Sequence, residues 1–513
     1  MRRPFVILFI FLLIGILLGF SIEMRLSLVM IVAITLLSML LLLVLEDKQL
    51  LVICLTTVVF GLFLFNLHGL QDPLSLDSVE NLDLKMKLLS KPIQKGYYHE
   101  AEVIIISQRG VGREVVIYKK ALLQLRGKAE VGKELHIGGK LELHGVDIVK
   151  NLLEAYDAAY DKYLRSKGYK YVIRGSFNRI VFLEGNKPSL LNRISAVSYR
   201  AKSNIEDFFS SALDTKEGAL IKSVLFGNQG YMEEEQLELF SKSGTAHIIA
   251  VSGLHVGILV ILIERIFSLM GMCKNKRLLF TSLIIYFYAF IVGFPVSIIR
   301  AGAMYLLAIV AYFTNRRYDA INGLFLIAIV VIGLNPFMIY SVSFQMSFGA
   351  TLSILWLYPE ISRLLKGIPR GLGPLVAVTL AAQAGTLPIT AYYFKQISVI
   401  APITNLLIVP SLGLVLSLGL LGGIISLVSI RLGKIVMIPL SYMLKYIHFI
   451  VEKTSSIKFA SLEMAEIGFL HITIYYLILY CLYIIYQKRK SIIIYIRKLG
   501  ENGPSANNGG YKD

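Results

Sequence analysis

The sequence predicts a polytopic α-helical membrane protein with about 12 spans and an extracytoplasmic OB-like β-barrel domain. Of its 513 residues, 56% are hydrophobic and only 17% are charged, and the mean hydropathy is +0.67. The interior of an ordinary soluble protein does not need that much apolar surface. Uncharged apolar runs long enough to cross a hydrocarbon layer also recur from the N-terminus almost to the end. The composition therefore excludes a soluble globular protein.

The first apolar run follows Arg2 and Arg3 directly and resembles a signal peptide. A second apolar run begins within a few residues, and no small-x-small cleavage site lies between them, so we expect a retained span. Gly15 and Gly19 form a GxxxG motif, which allows a second helix to approach closely. The first domain, residues 1–68, contains three predicted spans, at residues 5–22, 26–45 and 50–67.

The second predicted domain, residues 69–189, contains no membrane-length apolar run. Short β-rich stretches alternate there with turns that contain glycine, and a helix over residues 152–167 interrupts them. Five or six short strands with one helix are typical of a small β-barrel, and an OB-type barrel is the natural candidate. Amphipathic or polar connecting helices follow in residues 190–243. The predicted strands cover residues 101–106, 114–118, 121–125, 134–137, 140–143, 169–173 and 180–183.

The main membrane domain is expected in residues 244–487, followed by a basic and then disordered cytoplasmic tail, residues 488–513. Residues 400–430 are too long for one simple span and contain Pro402 and Pro410, which predicts a broken or re-entrant helix there. The predicted spans are residues 245–270, 278–292, 296–313, 320–334, 337–358, 372–394, 400–430, 435–451 and 469–486.

The formal net charge of +18 is largely explained by the loops between these spans. Short cytoplasmic loops of membrane proteins carry an excess of Lys and Arg. If successive spans cross the membrane in alternating directions, the basic loops all lie on the same side as the N-terminus. We therefore expect a multi-pass membrane protein, with both termini inside and residues 69–189 outside. The basic loop residues are Lys274, Lys276, Arg277, Arg316, Arg317, Arg363, Lys366, Arg370, Arg431, Lys434, Lys488, Arg489 and Lys490.

The predicted external domain is also basic, with 20 Lys and Arg against 15 Asp and Glu, although the positive-inside rule makes no demand there. Such barrels bind single-stranded nucleic acid through basic groups that contact the phosphates and aromatic rings that stack on the bases. The alternative is a solvated surface with the tyrosines in the barrel core. The candidate phosphate contacts are Lys119, Lys120, Arg126 and Lys128, and the candidate rings are Tyr97, Tyr98, Tyr118, Tyr169 and Tyr171.

Polar side chains within the predicted spans form a second set of candidates, because such groups usually face a protein interior or a watery path. His247, Ser252 and His255 lie at the start of one span, where Gly253 and Gly257 allow a close neighbour. Neighbouring prolines and glycines suggest interrupted helices around a cavity. The alternative for each residue is an interhelical hydrogen bond, worth about 0.6 kcal/mol on average. The other candidates are Arg300, Gln345, Gln383 and Asn405.

Two classes of enzyme are alternatives for these polar residues, an intramembrane serine hydrolase and a di-metal nuclease. An intramembrane serine hydrolase would use Ser252 with His255 as its base, but spacing on one helix does not aim a base at a nucleophile. The sequence contains no HxH or HxxxH cluster with aspartates, no GxxxxGK[ST] loop and no CxxC spacing, so we expect no metal, no cofactor and no ATPase activity. A secondary transporter of an anionic solute stays open as a third alternative.

Four longer stretches of the sequence are distinctive: HIIAVSGLHVGIL (247–259), GFPVSIIRAGAM (293–304), NPFMIYSVSFQMSFGATLSIL (335–355) and LPITAYYFKQISVIAPITNLLIVP (387–410). They closely resemble motifs of the ComEC family of DNA-internalisation competence proteins. The resemblance implies a channel in the bacterial cytoplasmic membrane through which single-stranded transforming DNA enters a competent bacterium. It also implies an external DNA receptor, a separate nuclease and a cytosolic helicase-like ATPase as partners, with membrane lipid around the protein and a homo-oligomer left open. Many relatives end in a metallo-β-lactamase-like domain, whereas only a short tail follows Gln487 here.

Overall fold

The computed structural model describes residues 3–22, 49–69, 82–89, 93–95, 98–110, 113–126, 140–149, 158–169, 171–176, 180–183, 190–369, 371–464 and 467–501. Two N-terminal helices are followed along the chain by one curled sheet and then by a large helical bundle. The predicted span 26–45 and the predicted strand 134–137 lie outside the described residues.

Helices α1 (Pro4–Ile22) and α2 (Gln49–Gly69) pack against each other through glycines. A Cβ atom on Gly61 would lie 2.5 Å from the Leu12 carbonyl oxygen, and one on Gly15 would collide with the Val58 carbonyl. Residues without a side chain permit this backbone spacing. The predicted close approach of a second helix at Gly15 is therefore confirmed.

The strands of residues 82–183 form one curled sheet, and their pairing runs round a circuit of five strands. The strands are β1 (Leu82–Leu88), β2 (Ile93–Lys95), β3 (Tyr98–Gly110), β4 (Arg113–Arg126), β5 (Lys140–Val149), β6 (Tyr171–Ser176) and β7 (Ile180–Leu183). Strand β1 pairs antiparallel with both β3 and β5, β3 pairs antiparallel with β4, and β5 with β6, whereas β4 and β6 are parallel. The short strand β2 pairs with β3, and the short strand β7 pairs with β5.

Alternation of side chains fills the inside of this sheet. Leu84 and Met86 of β1 are buried with Val103 and Leu123, while the intervening residues of β1 are charged. The sequence analysis missed β1 because those charges hide an alternating pattern. The separately predicted strands 114–118 and 121–125 are one strand, β4. Helix α3 (Ala158–Ser166) lies within the predicted helix 152–167, whose first residues are outside the described part of the chain, and buries Leu164 against the outer side of the sheet.

The C-terminal bundle contains the long apolar helices. They are α7 (Gly253–Leu269), α8 (Lys274–Val292), α9 (Val296–Phe313), α10 (Ala320–Leu334), α11 (Val342–Leu364), α12 (Leu372–Phe394), α13 (Ala401–Ser426), α14 (Ile430–Ser455) and α15 (Phe469–Glu501). Among the described residues, six helices are long and apolar enough to cross a membrane: α8, α9, α12, α13, α14 and, within α15, Phe469–Arg489. Helix α10 and parts of α1 and α2 are shorter apolar helices. The chain is therefore a helical membrane protein.

The break predicted within residues 400–430 is wrong, because α13 runs without interruption from Ala401 to Ser426. Pro402 stands in its first turn, where a missing N–H has no intrahelical acceptor to lose. Pro410 lies inside the helix, and the Tyr446 hydroxyl donates to the neighbouring Leu407 carbonyl across 3.2 Å. The interruption lies instead before α7, where the predicted span 245–270 becomes helical only at Gly253.

Residues 190–243 contribute to the core of the bundle as well as connecting it to the sheet. They form α4 (Leu190–Ala212), α5 (Thr215–Phe226) and α6 (Glu234–Lys242). Phe209 and Leu220 are fully buried in the largest apolar cluster with Leu412 of α13 and Leu444 of α14. These helices are therefore packed between membrane-length helices.

The sheet attaches to the bundle at the connection between α10 and α11, a short 3-10 helix (Pro336–Tyr340). The Asn335 side-chain amide donates to the carbonyl oxygen of Arg165, at the end of α3, across 2.9 Å. The Lys162 ammonium lies 4.7 Å from the centre of the Tyr340 ring. Phe20, near the end of α1, packs edge-on against the same Tyr340 ring.

The other end of α1 carries basic residues. Arg3 forms an ion pair of 3.0 Å with Asp319, which caps the start of α10, and Arg316 and Arg317 lie just before it in the chain. Because Arg3 and Phe20 are at opposite ends of one helix, the sheet and this basic cluster lie at opposite ends of the bundle.

Candidate polar site at the start of α7

A non-helical segment, residues 243–252, leads into the bundle between α6 and α7. It turns at Gly244, whose φ of +75° lies in the left-handed region, and a Cβ there would lie 2.8 Å from the Ser398 hydroxyl and collide with Ala401. Ile248 and Ile249 are buried in the core of the bundle. Non-helical backbone at membrane depth is tolerated where it is buried in protein or lines a cavity. Tertiary contacts therefore hold this segment out of a helix.

Helix α7 begins with a reciprocal contact between Ser252 and His255. The Ser252 backbone N–H donates to His255 Nδ1 across 3.2 Å, and the Ser252 hydroxyl lies 2.9 Å from the same nitrogen. An N–H group cannot accept, so Nδ1 is unprotonated and the neutral ring carries its proton on Nε2. His255 is 1% exposed, and although the Ile248 carbonyl lies on that side of the ring, no acceptor meets hydrogen-bond geometry at Nε2.

His247 occupies the middle of the non-helical segment. Its ring lies beside the Gly244 carbonyl and close to His255. The residue is exposed on the surface of the described protein.

Arg300, one turn into α9, reaches between three helices. Its Nη1 donates to the Ser347 carbonyl and to the Thr351 hydroxyl, both on α11. Its Nη2 lies against Gly253, the first residue of α7, where a Cβ would overlap it. Arg300 is 7% exposed, and no carboxylate among the described residues forms an ion pair with it. Arg300 is therefore a buried cation that touches neutral groups only.

Gln383 and Asn405 approach the same segment from α12 and α13. The Gln383 amide donates to the Ser398 carbonyl across 2.9 Å, and the Ser398 hydroxyl faces Gly244. Asn405 lies one turn beyond Ala401, is 8% exposed, and its Oδ1 has no hydrogen-bond partner. Both residues therefore border the region where the non-helical segment turns into the bundle.

Gln345 lies apart from this cluster. Its amide donates to the Ile339 carbonyl of the 3-10 helix across 2.8 Å, and its side chain also bonds Tyr393 at the end of α12. The structure thus brings His247, Ser252, Gly253, His255 and Arg300 together, with Gln383 and Asn405 at the border. The expected close neighbour is present at Gly253 but absent at Gly257, which faces open space.

Sequence reasoning missed several polar groups within the bundle. Ser347 and Thr351 hold Arg300, and the Ser347 hydroxyl is itself buried without a partner. Their spacing of one helical turn was the available signal. Glu264 on α7 accepts a hydrogen bond of 2.8 Å from Tyr305 on α9, and the buried Glu217 accepts one of 2.7 Å from Ser441 on α14.

Lys120, an expected external phosphate contact, has partners within the sheet. Its ammonium lies 3.0 Å from Glu102 and 4.7 Å from the centre of the Tyr169 ring. Arg126, at the end of β4, is exposed. The side chain of Lys119 and all of Lys128 lie outside the described residues. Tyr171 is buried in the apolar core of the sheet, as the alternative expects, whereas Tyr169 is buried with Leu164 on the outer side of the sheet.

The Glu102 cluster carries shifted pKa values. Burial opposes ionisation of Glu102, but the Lys120 charge and hydrogen bonds from Tyr169 and Lys120 outweigh it and lower the pKa of the carboxyl. Burial together with the Glu102 charge raises the pKa of Tyr169. Lys120 therefore compensates a carboxylate, and its charge is not free for a ligand.

These features define a helical membrane protein in which a buried cation and a histidine lie at the start of a helix, α7, that follows a buried non-helical segment. The family model for competence proteins matches residues 224–489, and the chain belongs to this family, the ComEC family. No solved structure matches the chain.

Three curated relatives are similar over parts of their length. ComE operon protein 3 of Bacillus subtilis (strain 168) is 30% identical over 209 residues, 41% of this chain and 26% of that protein. An uncharacterized protein of Aquifex aeolicus (strain VF5) is 27% identical over 287 residues, 52% of this chain and 64% of the relative. Recombination protein 2 of Haemophilus influenzae (strain ATCC 51907 / DSM 11121 / KW20 / Rd) is 26% identical over 209 residues, 38% of this chain and 26% of that protein. The matches thus span a quarter to two thirds of these relatives.

Proposed function

We propose that this chain carries single-stranded transforming DNA across the bacterial cytoplasmic membrane during natural competence. Membership of the competence family supports the process, and the observation that carries the path is Arg300, a buried guanidinium that pairs with no carboxylate of the described residues and lies beside the start of α7. Removing a charge from water is costly unless an opposite charge compensates it. A passing phosphate group supplies that opposite charge.

The path proposed here begins at the exposed His247 and continues past His255, Ser252, Gly253 and Arg300. Gln383 and Asn405 border the path where the non-helical segment turns at Gly244, and Gln345 stabilises the 3-10 helix between α10 and α11. Neutral polar groups can replace part of the water around phosphates without holding the strand. A single cation among them attracts a phosphate group 4 Å away by about 4 kcal/mol at an intermediate dielectric constant. A moving strand can still dissociate from an attraction of this size.

The sheet is proposed as the external DNA-binding domain of this channel, an OB-like barrel over residues 69–189. The five-strand circuit with one parallel pair, β4 with β6, supports that fold. The exposed Arg126, and Lys119 and Lys128 by sequence, are its proposed phosphate contacts; Lys120 stabilises it through Glu102.

Twelve spans with both termini in the cytoplasm are part of the same proposal. The cluster around Arg3, Arg316 and Arg317 supports this orientation, because it lies at the end of the bundle opposite to the sheet. The proposed domain division is 1–68, 69–189, 190–243, 244–487 and 488–513. An external receptor delivers the DNA, a separate nuclease removes the second strand, and a cytosolic helicase-like ATPase supplies the drive.

The deciding experiment is uptake of labelled DNA into a nuclease-resistant pool. The host is a transformable strain that lacks its own family member and expresses this chain. Uptake should be restored by the wild type, reduced at least about tenfold by Arg300→Gln, and kept by Arg265→Gln, an exposed arginine near the other end of α7. Failure of the well-expressed wild type to restore uptake would refute transport, and equal uptake by the two variants would refute the path.

An intramembrane serine hydrolase is the alternative favoured by one contact, the 2.9 Å between the Ser252 hydroxyl and His255 Nδ1. Because Nδ1 also accepts the Ser252 N–H, this nitrogen is occupied by helix capping. A fluorophosphonate probe, which reacts with activated serines, should leave the purified chain unlabelled while it labels a serine hydrolase in the same detergent. Labelling that disappears in Ser252→Ala would establish the alternative.

A further inference from the structure

We propose that the start of α7 is a binding site for one phosphate-sized oxyanion, held by the Arg300 guanidinium and the first turn of the helix. The inference rests on the proposed function, since the physiological occupant would be a phosphodiester group of the strand. The site itself is defined by chain groups and binds a simple anion without DNA.

The first step is the charge of Arg300. It is buried, and its Nη1 meets only two neutral acceptors, the Ser347 carbonyl and the Thr351 hydroxyl. Its Nε is buried, and no described residue bonds it. A guanidinium presents donors in a planar fork that fits two oxygens of a phosphate group. Arg300 thus retains both charge and donors for an oxyanion.

The second step is the position of that fork. Nη2 lies against Gly253, the first residue of a 17-residue helix whose N-terminal amides carry partial positive charge. Helix N-termini bind anions through these amides. Because Gly253 has no side chain, the guanidinium comes close to the backbone of this turn, and the two positive groups face the same region.

Two further donors lie near this turn. Among the described residues, the hydroxyl of Ser347, whose carbonyl holds Arg300, is buried without a partner. His255 Nε2 carries a proton and, among the same residues, meets no acceptor in hydrogen-bond geometry, although the Ile248 carbonyl lies beside the ring; Nδ1 of this ring accepts from the backbone of Ser252, the residue before the helix. A tetrahedral oxyanion offers several acceptor oxygens in different directions, whereas a chloride ion offers one centre. The donor set therefore fits sulfate or phosphate.

The experiment measures binding of radiolabelled sulfate to the purified full chain in dodecyl maltoside, with ionic strength fixed by chloride. The wild type should bind one sulfate per chain, saturably. Arg300→Gln should weaken binding at least about tenfold, and Arg300→Lys less, because the charge stays while the fork is lost. Arg265→Gln is the matched control and should bind as the wild type.

A second matched pair tests His255. His471 also accepts a backbone N–H at its Nδ1, from Gly468 across 3.2 Å, but it is exposed at the start of α15. His255→Gln should weaken sulfate binding several-fold, and His471→Gln should leave it unchanged. Circular dichroism and gel filtration identify variants that fail to fold. If Arg300→Gln fails to fold, Arg300→Lys, which keeps the buried charge but loses the planar fork, still tests the site.

Competition identifies the source of the phosphate group. A thymidine oligonucleotide should displace the sulfate, and short-chain phosphatidylglycerol at equal phosphate concentration should not. Displacement by the lipid alone would overturn the assignment to nucleic acid. Absence of saturable sulfate binding, or unchanged affinity in Arg300→Gln, would overturn the site while DNA uptake by the wild type still supports the channel. Sulfate binding by a chain that restores no DNA uptake would leave the anion site standing and refute the channel.

Discussion

The hydroxyl of Tyr475 on α15 donates a hydrogen bond of 2.9 Å to the carbonyl of Ala384 on α12. That carbonyl lies four residues before Pro388, which has no N–H to bond it. The neighbouring Tyr476 donates to the Gly385 carbonyl across 2.8 Å. In apolar surroundings a helix interrupted by proline needs such replacement donors. Helix α15 therefore satisfies a backbone group that α12 cannot satisfy itself.

Replacing Tyr475 by phenylalanine should destabilise the protein by roughly 1 kcal/mol, because the Ala384 carbonyl loses its donor. Thermal unfolding in detergent measures the loss, and Tyr480→Phe, at a ring that is 52% exposed, serves as the control. Pro388→Ala restores the N–H, so in that background the effect of Tyr475→Phe should shrink. An equal loss in both backgrounds would contradict the proposed replacement.

The Glu102 carboxyl makes the sheet sensitive to acid. Its pKa is lowered below 4.5 in the folded protein, so its stabilising effect is present above that value and is lost as the pH falls through the folded pKa. Glu102→Gln should therefore reduce the hydrogen-exchange protection of β3 and β4 at pH 7 and matter less at acid pH. The expected size is at most about 1 kcal/mol, since the pair is partly exposed. The same difference at both pH values would count against this carboxylate.

Arg126 and Lys120 should respond differently to an oligonucleotide. Arg126 is exposed, whereas Lys120 is paired with Glu102. Arg126→Ala in the purified full chain should weaken binding of a thymidine oligonucleotide and lower the slope of log affinity against log salt by about 0.7. Lys120→Ala should leave that slope unchanged and loosen β3 and β4 instead. A larger change of slope for Lys120→Ala than for Arg126→Ala would mean that Lys120, and not Arg126, contacts the phosphates.

Much of the bundle could be predicted because lipid demands continuous apolar helices. The predicted spans 296–313, 320–334 and 372–394 coincide with α9, α10 and α12. The prediction was wrong for residues 245–252, where Ile248 and Ile249 are apolar because they fill a protein core. Composition does not distinguish such residues from those that face lipid.

The candidate site could be predicted only in part, because its key contacts join distant segments. The sequence indicated His247, Ser252, His255 and Arg300 as polar residues in apolar runs. Ser347 is far from Gly253 in the chain, so no local pattern shows that Arg300 connects them. For the same reason strand alternation alone could not show that Glu102 neutralises Lys120.

Two glycines of α7 provide a matched test of the Arg300 position. A Cβ on Gly253 would overlap Nη2 of Arg300, whereas nothing lies within 4 Å of a Cβ on Gly257. Alanine favours a helix over glycine by up to about 1 kcal/mol, so neither substitution should weaken α7 itself. Gly253→Ala should push the guanidinium away from the helix start and lower both sulfate affinity and DNA uptake several-fold. Gly257→Ala should leave both unchanged at equal or higher thermal stability. Equal sulfate affinity in the two variants would mean that the guanidinium does not act at the first turn of α7.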